Sequence, residues 1–251
     1  MDKNELERIA QSYHLNPDVP DKHIEDLCQE HCCRWLLASL GQARRVLELG
    51  YGDGIVTRAL VEDGREVTVV EGAATLIERL RQTWPGKVQA SHALFEEFDP
   101  GPARFDAIIA SHVLEHVADP VALLARLRNW LAPGGRLLVV VPNSESLHRR
   151  LAVIMGLQPA LDTLSARDGV VGHRRVYSLA TLRHDIQAAG FTELSSRGFF
   201  LKPLANSMML EYSPQLLSAM NEISGQLPVE LLANLGMIAV TDGSGRDGLP
   251  R

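Results

Sequence analysis

Three groups of residues in this chain have types and spacings that could do chemistry. The first is a run of glycines at every second position, Gly50, Gly52 and Gly54, with an acid before it, Glu48, and a second acid, Glu71, closing the next apolar run. Glycines let a backbone turn sharply and approach a ligand without Cβ clashes. A carboxylate at the place of Glu71 can accept both hydroxyls of a ribose. The second group is His112, Glu115 and His116, at i, i+3 and i+4, which share one face if the segment is helical. Such a set can supply a base, hold a metal, or only fix a loop by hydrogen bonds. The third is Gly172-His173-Arg174-Arg175-Val176-Tyr177-Ser178, ahead of a helix. His173 and Tyr177 either face a substrate or pack a loop against the helix cap. Arg174 and Arg175 either meet an anionic group or sit in solvent.

The elements around these groups place them together. Residues 45–49 and 66–70 read as short apolar strands, each followed by a helical stretch, 55–61 and 73–83. Further strands fall at 88–90, 105–111, 136–141, 191–196 and 235–241. Asp119-Pro120 is a cap with a first-turn proline and starts a helix through Leu131, and Pro133-Gly134-Gly135 reads as a turn. Ser178 caps a helix that ends at Gly190. Alternating strands and helices at this spacing predict βαβ units and a parallel sheet. Ligands of such sheets bind at the carboxyl ends of strands, where the glycine run lies. A dinucleotide fingerprint would need a glycine where Ile55 stands. A pyrophosphate would also meet Glu48 with like charge, whereas the amino group and sulfonium of S-adenosylmethionine would not.

Outside this core, residues 4–13 and 21–40 read as helices separated by two prolines, and residues 144–175 interrupt the alternation. Too many residues lie between the sixth and seventh strands for a hairpin, so 198–234 is read as an insertion. It carries Phe199, Phe200, Met208, Met209, Leu210, Tyr212 and Met220, suited to an apolar substrate pocket, to ordinary core or to a dimer surface. The tail after Asp242 is expected to fray.

Composition narrows the class. The chain has 251 residues, 45% of them apolar, with a formal charge of −6. That suits one sizeable globular core and argues against nucleic acid or an anionic membrane as partner. Cys28, Cys32 and Cys33 are too few and too crowded for a secreted disulfide framework. With His31 they lack the second ligand pair of a zinc site and are read as buried thiols. The polar N-terminus is no signal peptide and no apolar run reaches membrane-spanning length, so a cytoplasmic enzyme is expected.

Residues 48–54, the stretch Phe105 to Val117 and the turn Leu131 to Leu137 together resemble motifs of class I S-adenosylmethionine-dependent methyltransferases, nearest the ubiquinone-biosynthesis O-methyltransferase branch. The resemblance covers 41–143, with a looser echo at 173–196. It implies an α/β fold, a Rossmann-like, doubly wound sheet of seven strands with the last antiparallel. It implies an N-terminal helical lid at 1–40, a cofactor domain at 41–197, a substrate cap at 198–234 and a closing strand and tail at 235–251. Gly50, Gly52, Gly54 and Glu48 would then lie along the methionine part of the cofactor and Glu71 at its ribose. Gly72, Ala73, Leu94 and Phe95 would lie near the adenine, with His92 as an alternative. Ser111 and His112 would offer backbone, and Tyr13 would reach over from the lid. Relatives place an acid after strand three where this chain has Leu94-Phe95, so Phe95 would stack on the base instead. His112, His116, His173 and Tyr177 are the candidate catalytic residues. Related quinone methyltransferases carry acid, acid and His near His112-Glu115-His116 and can use a divalent metal there; no metal is assigned here. The implied reaction is methyl transfer to an oxygen or nitrogen of a small metabolite, with a homodimer as the candidate assembly. Rival readings are a peptide or protein methyltransferase, a non-catalytic cofactor-binding module and a nicotinamide-dependent oxidoreductase.

Overall fold

The apolar runs pair into one sheet. In the computed structural model, which describes residues 1–241, these are β1 (Arg45–Leu49), β2 (Glu66–Glu71), β3 (Val88–His92), β4 (Phe105–Ser111), β5 (Leu131–Pro142), β6 (Phe191–Phe199) and β7 (Asn234–Thr241). Their order across the sheet is β3-β2-β1-β4-β5-β7-β6. The first five run parallel, and β7 lies antiparallel between β5 and β6. The fold is therefore the expected doubly wound sheet with a reversed last strand. The chain turns back on itself between β1 and β4, and this opens a crevice at their carboxyl ends.

The sheet is covered on both faces, which explains its continuous apolar strands. On one face pack α2 (Lys22–Leu40), α3 (Ile55–Glu62) and α4 (Ala74–Thr83), with Ile24, Leu36, Leu60 and Ile77 buried against Val46 and Ile109. On the other face α5 (Pro120–Trp130) and α8 (Leu179–Ala188) bury Leu124, Leu127, Leu182 and Ile186 against Leu47, Ile108 and Val139. Each such side chain contributes about 1.5–3 kcal/mol by leaving water. The starts of these helices are written locally. Asp119 accepts from the Ala122 amide (2.9 Å) ahead of Pro120, and Ser178 and Thr181 form a reciprocal capping box.

Several boundaries differ from the sequence reading. The helix expected at 4–13 is α1 (Lys3–Ile9) followed by a π-helical turn, Ala10–His14. The Pro133-Gly134-Gly135 turn lies inside β5, because Phe105 pairs with Leu131 and Ala107 next pairs with Arg136, so the extra residues loop out of the ladder. Residues 144–175 hold two short helices, α6 (Leu147–Ile154) and α7 (Ala166–Val171). The insertion holds α9 (Pro214–Glu222) and three-residue and four-residue 3-10 turns. It belongs partly to the core: Phe199, Phe200, Met209 and Leu217 are buried, while Met208 and Leu210 are exposed. Among the described residues no helix is long and apolar enough to cross a membrane.

Candidate active site

The crevice is a cavity of about 330 Å³ at the carboxyl ends of β1, β2 and β4, roofed by the N-terminal segment and by residues of the insertion. Its glycine-loop wall is built from backbone. Gly50, Gly52 and Gly54 all have positive φ (79°, 49° and 77°), a region an L side chain rarely adopts. A Cβ on Gly52 would also meet the His14 ring at 3.3 Å. The Gly50 amide donates to the Val70 carbonyl (2.8 Å), tying the loop to β2.

Two acids bracket this loop in different ways. Glu48 is buried and accepts from the Thr57 hydroxyl (2.6 Å). Burial pushes its carboxyl up to about 8; the Thr57 hydrogen bond opposes the rise and the nearby Glu71 adds to it. Glu71 accepts from the backbone amides of Tyr51 (2.9 Å) and Ala73 (2.8 Å), one on each oxygen. A carboxylate has about four acceptor positions, so lone pairs remain on both oxygens.

The N-terminal segment is latched onto the same loop through Asp53. His14 lies 3.1 Å from this carboxylate and the Lys22 ammonium 2.6 Å from it. Burial alone would raise the Asp53 pKa, but these two partners hold it below its ordinary value. Glu7 caps α4 from the same side by accepting from the Thr75 amide and hydroxyl. The Tyr13 ring lies between Lys22 (4.9 Å) and Arg167 (5.4 Å) and lines the cavity.

The opposite wall is built from side chains. His112 has φ 56°, one of two positive-φ non-glycine residues among the described residues; the other is Phe200, at 63°. Both line the cavity. Such conformations cost on the order of 1–3 kcal/mol and persist only where surroundings impose them. His112 Nδ1 lies 3.2 Å from Glu115, which is fully buried. Burial opposes charge on both groups, yet their pairing raises His112 and lowers Glu115. The second Glu115 oxygen has no hydrogen-bond partner among the described residues. His116 packs edge-on against His173, with ring centroids 4.7 Å apart. Burial, with a smaller push from His173, brings His116 down to about 4 against the pull of Glu115. His173 Nδ1 lies 2.7 Å from Asp168, which also pairs with Arg149 (2.9 Å) and with Ser165. These partners hold Asp168 far below the usual carboxylate range against the effect of burial. Glu115, His116 and His173 offer ligand atoms within 4.8 Å of one another. Ligands on one tetrahedral ion sit roughly 3.4 Å apart, so this set would have to close inward to hold one.

Most of the residues singled out in the sequence line this one cavity: Tyr13, Glu48, Gly50, Gly52, Gly54, Glu71, Gly72, Leu94, Phe95, Ser111, His112, His116 and His173. Others are placed elsewhere. Tyr177 is buried in the core beside α8, and its hydroxyl bonds Asp185 (3.1 Å), because its backbone is stitched to Pro142 and Ser144 and turns the ring away. Ala73 is buried behind Glu71, to which its amide is bound. His92 bonds the Gly72 carbonyl (3.0 Å) from outside the lining. Arg175 is neither an anion site nor a solvated group: it donates to the carbonyls of Leu114, Val117 and Ala118 and clamps the loop after β4. Cys28, Cys32 and Cys33 are buried and free, and His31 turns instead to Arg34. Asp168, Arg149, Asp53 and Lys202 also line the cavity and were not singled out in the sequence; Ser165 preceding Asp168 as a capping pair was the available signal for that acid.

A family model described as a methyltransferase domain matches residues 21–196. The chain is 38% identical over 118 residues to a ubiquinone biosynthesis O-methyltransferase of Xylella fastidiosa, a stretch covering 44% of this chain and 45% of that protein. It is 27% identical over 174 residues to the enzyme of the same name from Idiomarina loihiensis, covering 67% and 70%. The chain thus spans less than half the length of the first of these relatives. A solved 1,6-didemethyltoxoflavin-N1-methyltransferase of Burkholderia thailandensis, with S-adenosylhomocysteine bound, superposes with a TM-score of 0.62 at 25% identity, covering 93% of this chain and 85% of that one.

Proposed function

The chain belongs to the methyltransferase domain family, whose cofactor is S-adenosylmethionine, and from that premise we propose that it transfers a methyl group to an oxygen or nitrogen of a small molecule. The observation that carries this reading is the single cavity with two unlike walls, a positive-φ glycine loop bracketed by Glu48 and Glu71 and a histidine cluster facing it. The relatives, a ubiquinone biosynthesis O-methyltransferase and a 1,6-didemethyltoxoflavin-N1-methyltransferase, and the charge of −6 support a small acceptor over nucleic acid.

The loop wall fits the cofactor. Its positive-φ glycines bring the loop backbone to the cavity, and the lone pairs left on Glu71 suit two ribose hydroxyls. Gly72, Leu94 and Phe95 offer an apolar slot for the base, and Glu48 would meet the cationic amino group of the methionine part. Tyr13, Ser111 and the His112 backbone complete the enclosure, with residues 1–40 as the lid. When bound, the cofactor supplies a methyl group on a positively charged sulfur.

The chain's own work is to orient the acceptor and take its proton. His173 is the base in this reading. With Nδ1 donating to Asp168, its Nε2 is left as a proton acceptor, and Arg149 and Ser165 hold Asp168 in place. His112 is paired with Glu115, and this pairing raises its pKa against the effect of burial, which makes it the less suited of the two to take the proton. His116 stays neutral and steadies the His173 ring.

Calorimetric titration with S-adenosylhomocysteine tests the cofactor half. Wild type should bind it saturably, and Gly52→Val and Glu71→Ala should each weaken binding by roughly a hundredfold, as expected for a strained backbone or two lost charge-assisted bonds. Unchanged affinity in both variants would remove the site from this wall.

A further inference from the structure

Lys202 enters the cavity from the insertion, directly after a strained turn. Phe200 is buried at φ 63°, its carbonyl accepting from the Ala233 amide (2.9 Å), while the Leu201 amide donates to Met220 (3.0 Å). These bonds bend the chain leaving β6 so that Lys202 lines the cavity. A bulky residue held in that conformation marks a segment whose direction matters.

The charges around Lys202 leave it without a partner. Arg149 is spent on Asp168 (2.9 Å), and Arg167 on Asp21 (2.7 Å) with Glu25 at 3.9 Å. Asn206 donates to both Asp21 and Glu25. Neither of these carboxylates reaches ion-pair distance of Lys202, and its ammonium has no hydrogen-bond or ion-pair partner among the described residues. Its neighbour His148 also lines the cavity; burial and the cations Lys202 and Arg149 hold that imidazole far below its ordinary range, so it is uncharged and adds no second positive charge there. Burial likewise pulls Lys202 down, with Glu25 and Asp21 opposing. A half-buried ammonium facing an enclosed cavity with no carboxylate in direct contact is costly unless a ligand brings one.

We propose that Lys202 recognises the methyl acceptor through a carboxylate on that molecule. One ammonium matches the single charge of a carboxylate, whereas bidentate recognition of a phosphate dianion would draw on arginines, and both nearby arginines are already engaged. The acceptor is then a small hydroxy or amino acid, held by its carboxylate at Lys202 and presenting its nucleophile near His173. This rests on the reading of the cavity as a methyl-transfer site.

The test uses the full chain saturated with S-adenosylhomocysteine, titrated calorimetrically with para-hydroxybenzoate, meta-hydroxybenzoate and lactate, each against its carboxamide. At least one acid should bind about tenfold or more tighter than its amide, the loss expected for one hydrogen bond to a charged group. Lys202→Met should abolish that preference and Lys202→Arg should keep most of it. Equal binding of acids and amides, no binding of any acid at millimolar concentration, or a preference that survives Lys202→Met overturns the proposal. S-adenosylhomocysteine binding by wild type and Lys202→Met, measured without the probes, separates this failure from failure of the methyl-transfer reading.

Discussion

The two walls of the cavity are made by different means. The glycine-loop wall comes from one short stretch, residues 48–54, with Glu71 supplied by the adjacent strand of the same sheet. Its shape is set by φ angles that only the residue type at each position permits. The opposite wall is assembled from the loop after β4, α6, α7 and the insertion, segments that meet only in the folded chain. There the order comes from side chains that hold each other: Arg149 fixes Asp168, Asp168 fixes His173, and His173 packs on His116. A wall built from backbone geometry tolerates a change of partner across a family. A wall built from reciprocal side-chain contacts can be rebuilt by changing a few residues, which is where acceptor choice would reside.

The largest effect that would sharpen this contrast is on turnover. His173→Ala should lower kcat by about 10²–10⁴-fold, the usual worth of a positioned base, while leaving S-adenosylhomocysteine affinity unchanged. A loss of affinity with little change in kcat would place His173 on the wrong wall. Asp168→Asn should lower kcat less, because the ring loses the carboxylate that orients it.

A smaller effect should follow the protonation of Glu48. Its folded pKa, about 8, lies above the ordinary carboxylate value. Between that value and about 8 the folded chain keeps a proton that the unfolded chain releases, so stability falls as pH rises through this window and levels off above it. Glu48→Gln should remove that part of the slope, a difference on the order of a few kcal/mol between the two proteins at either end of the window. Binding a cationic amino group favours the charged form, so cofactor-product affinity should increase with pH toward about 8 in wild type and not in the variant. Thermal unfolding and calorimetry across this range read both effects.

The smallest effect belongs to a residue outside both walls. Tyr177→Phe should cost about 0.5–1.5 kcal/mol of stability, the worth of its hydrogen bond to Asp185, and leave kcat and affinity alone. A clear loss of kcat would show that the acceptor wall extends into the core beside α8.

What could be read in advance follows the same division. The strand and helix alternation was legible because each run obeys a local period and the caps at Asp119 and Ser178 act within three residues. The glycine loop and its two acids were legible for the same reason. Tyr177 misled because a His and a Tyr four residues apart look like one surface patch, whereas the strand-like bridge from Asn143 to Tyr177 turns the two in different directions. Asp168 and Lys202 gave no distinctive signal, since an acid in a capping box and a lysine after a strand are ordinary in any loop.

By itself the sequence determined the succession of strands and helices and the loop where a cofactor would lie, because those depend on interactions between residues near one another in the chain; the reversed last strand followed only from the family resemblance, since its pairing joins residues about a hundred apart, such as Arg136 and Val240. Only the tertiary structure decided which histidine is oriented by an acid, which arginines are already paired, and which cation is left facing the cavity. Those are properties of distances between residues far apart in the chain, and no local preference encodes them.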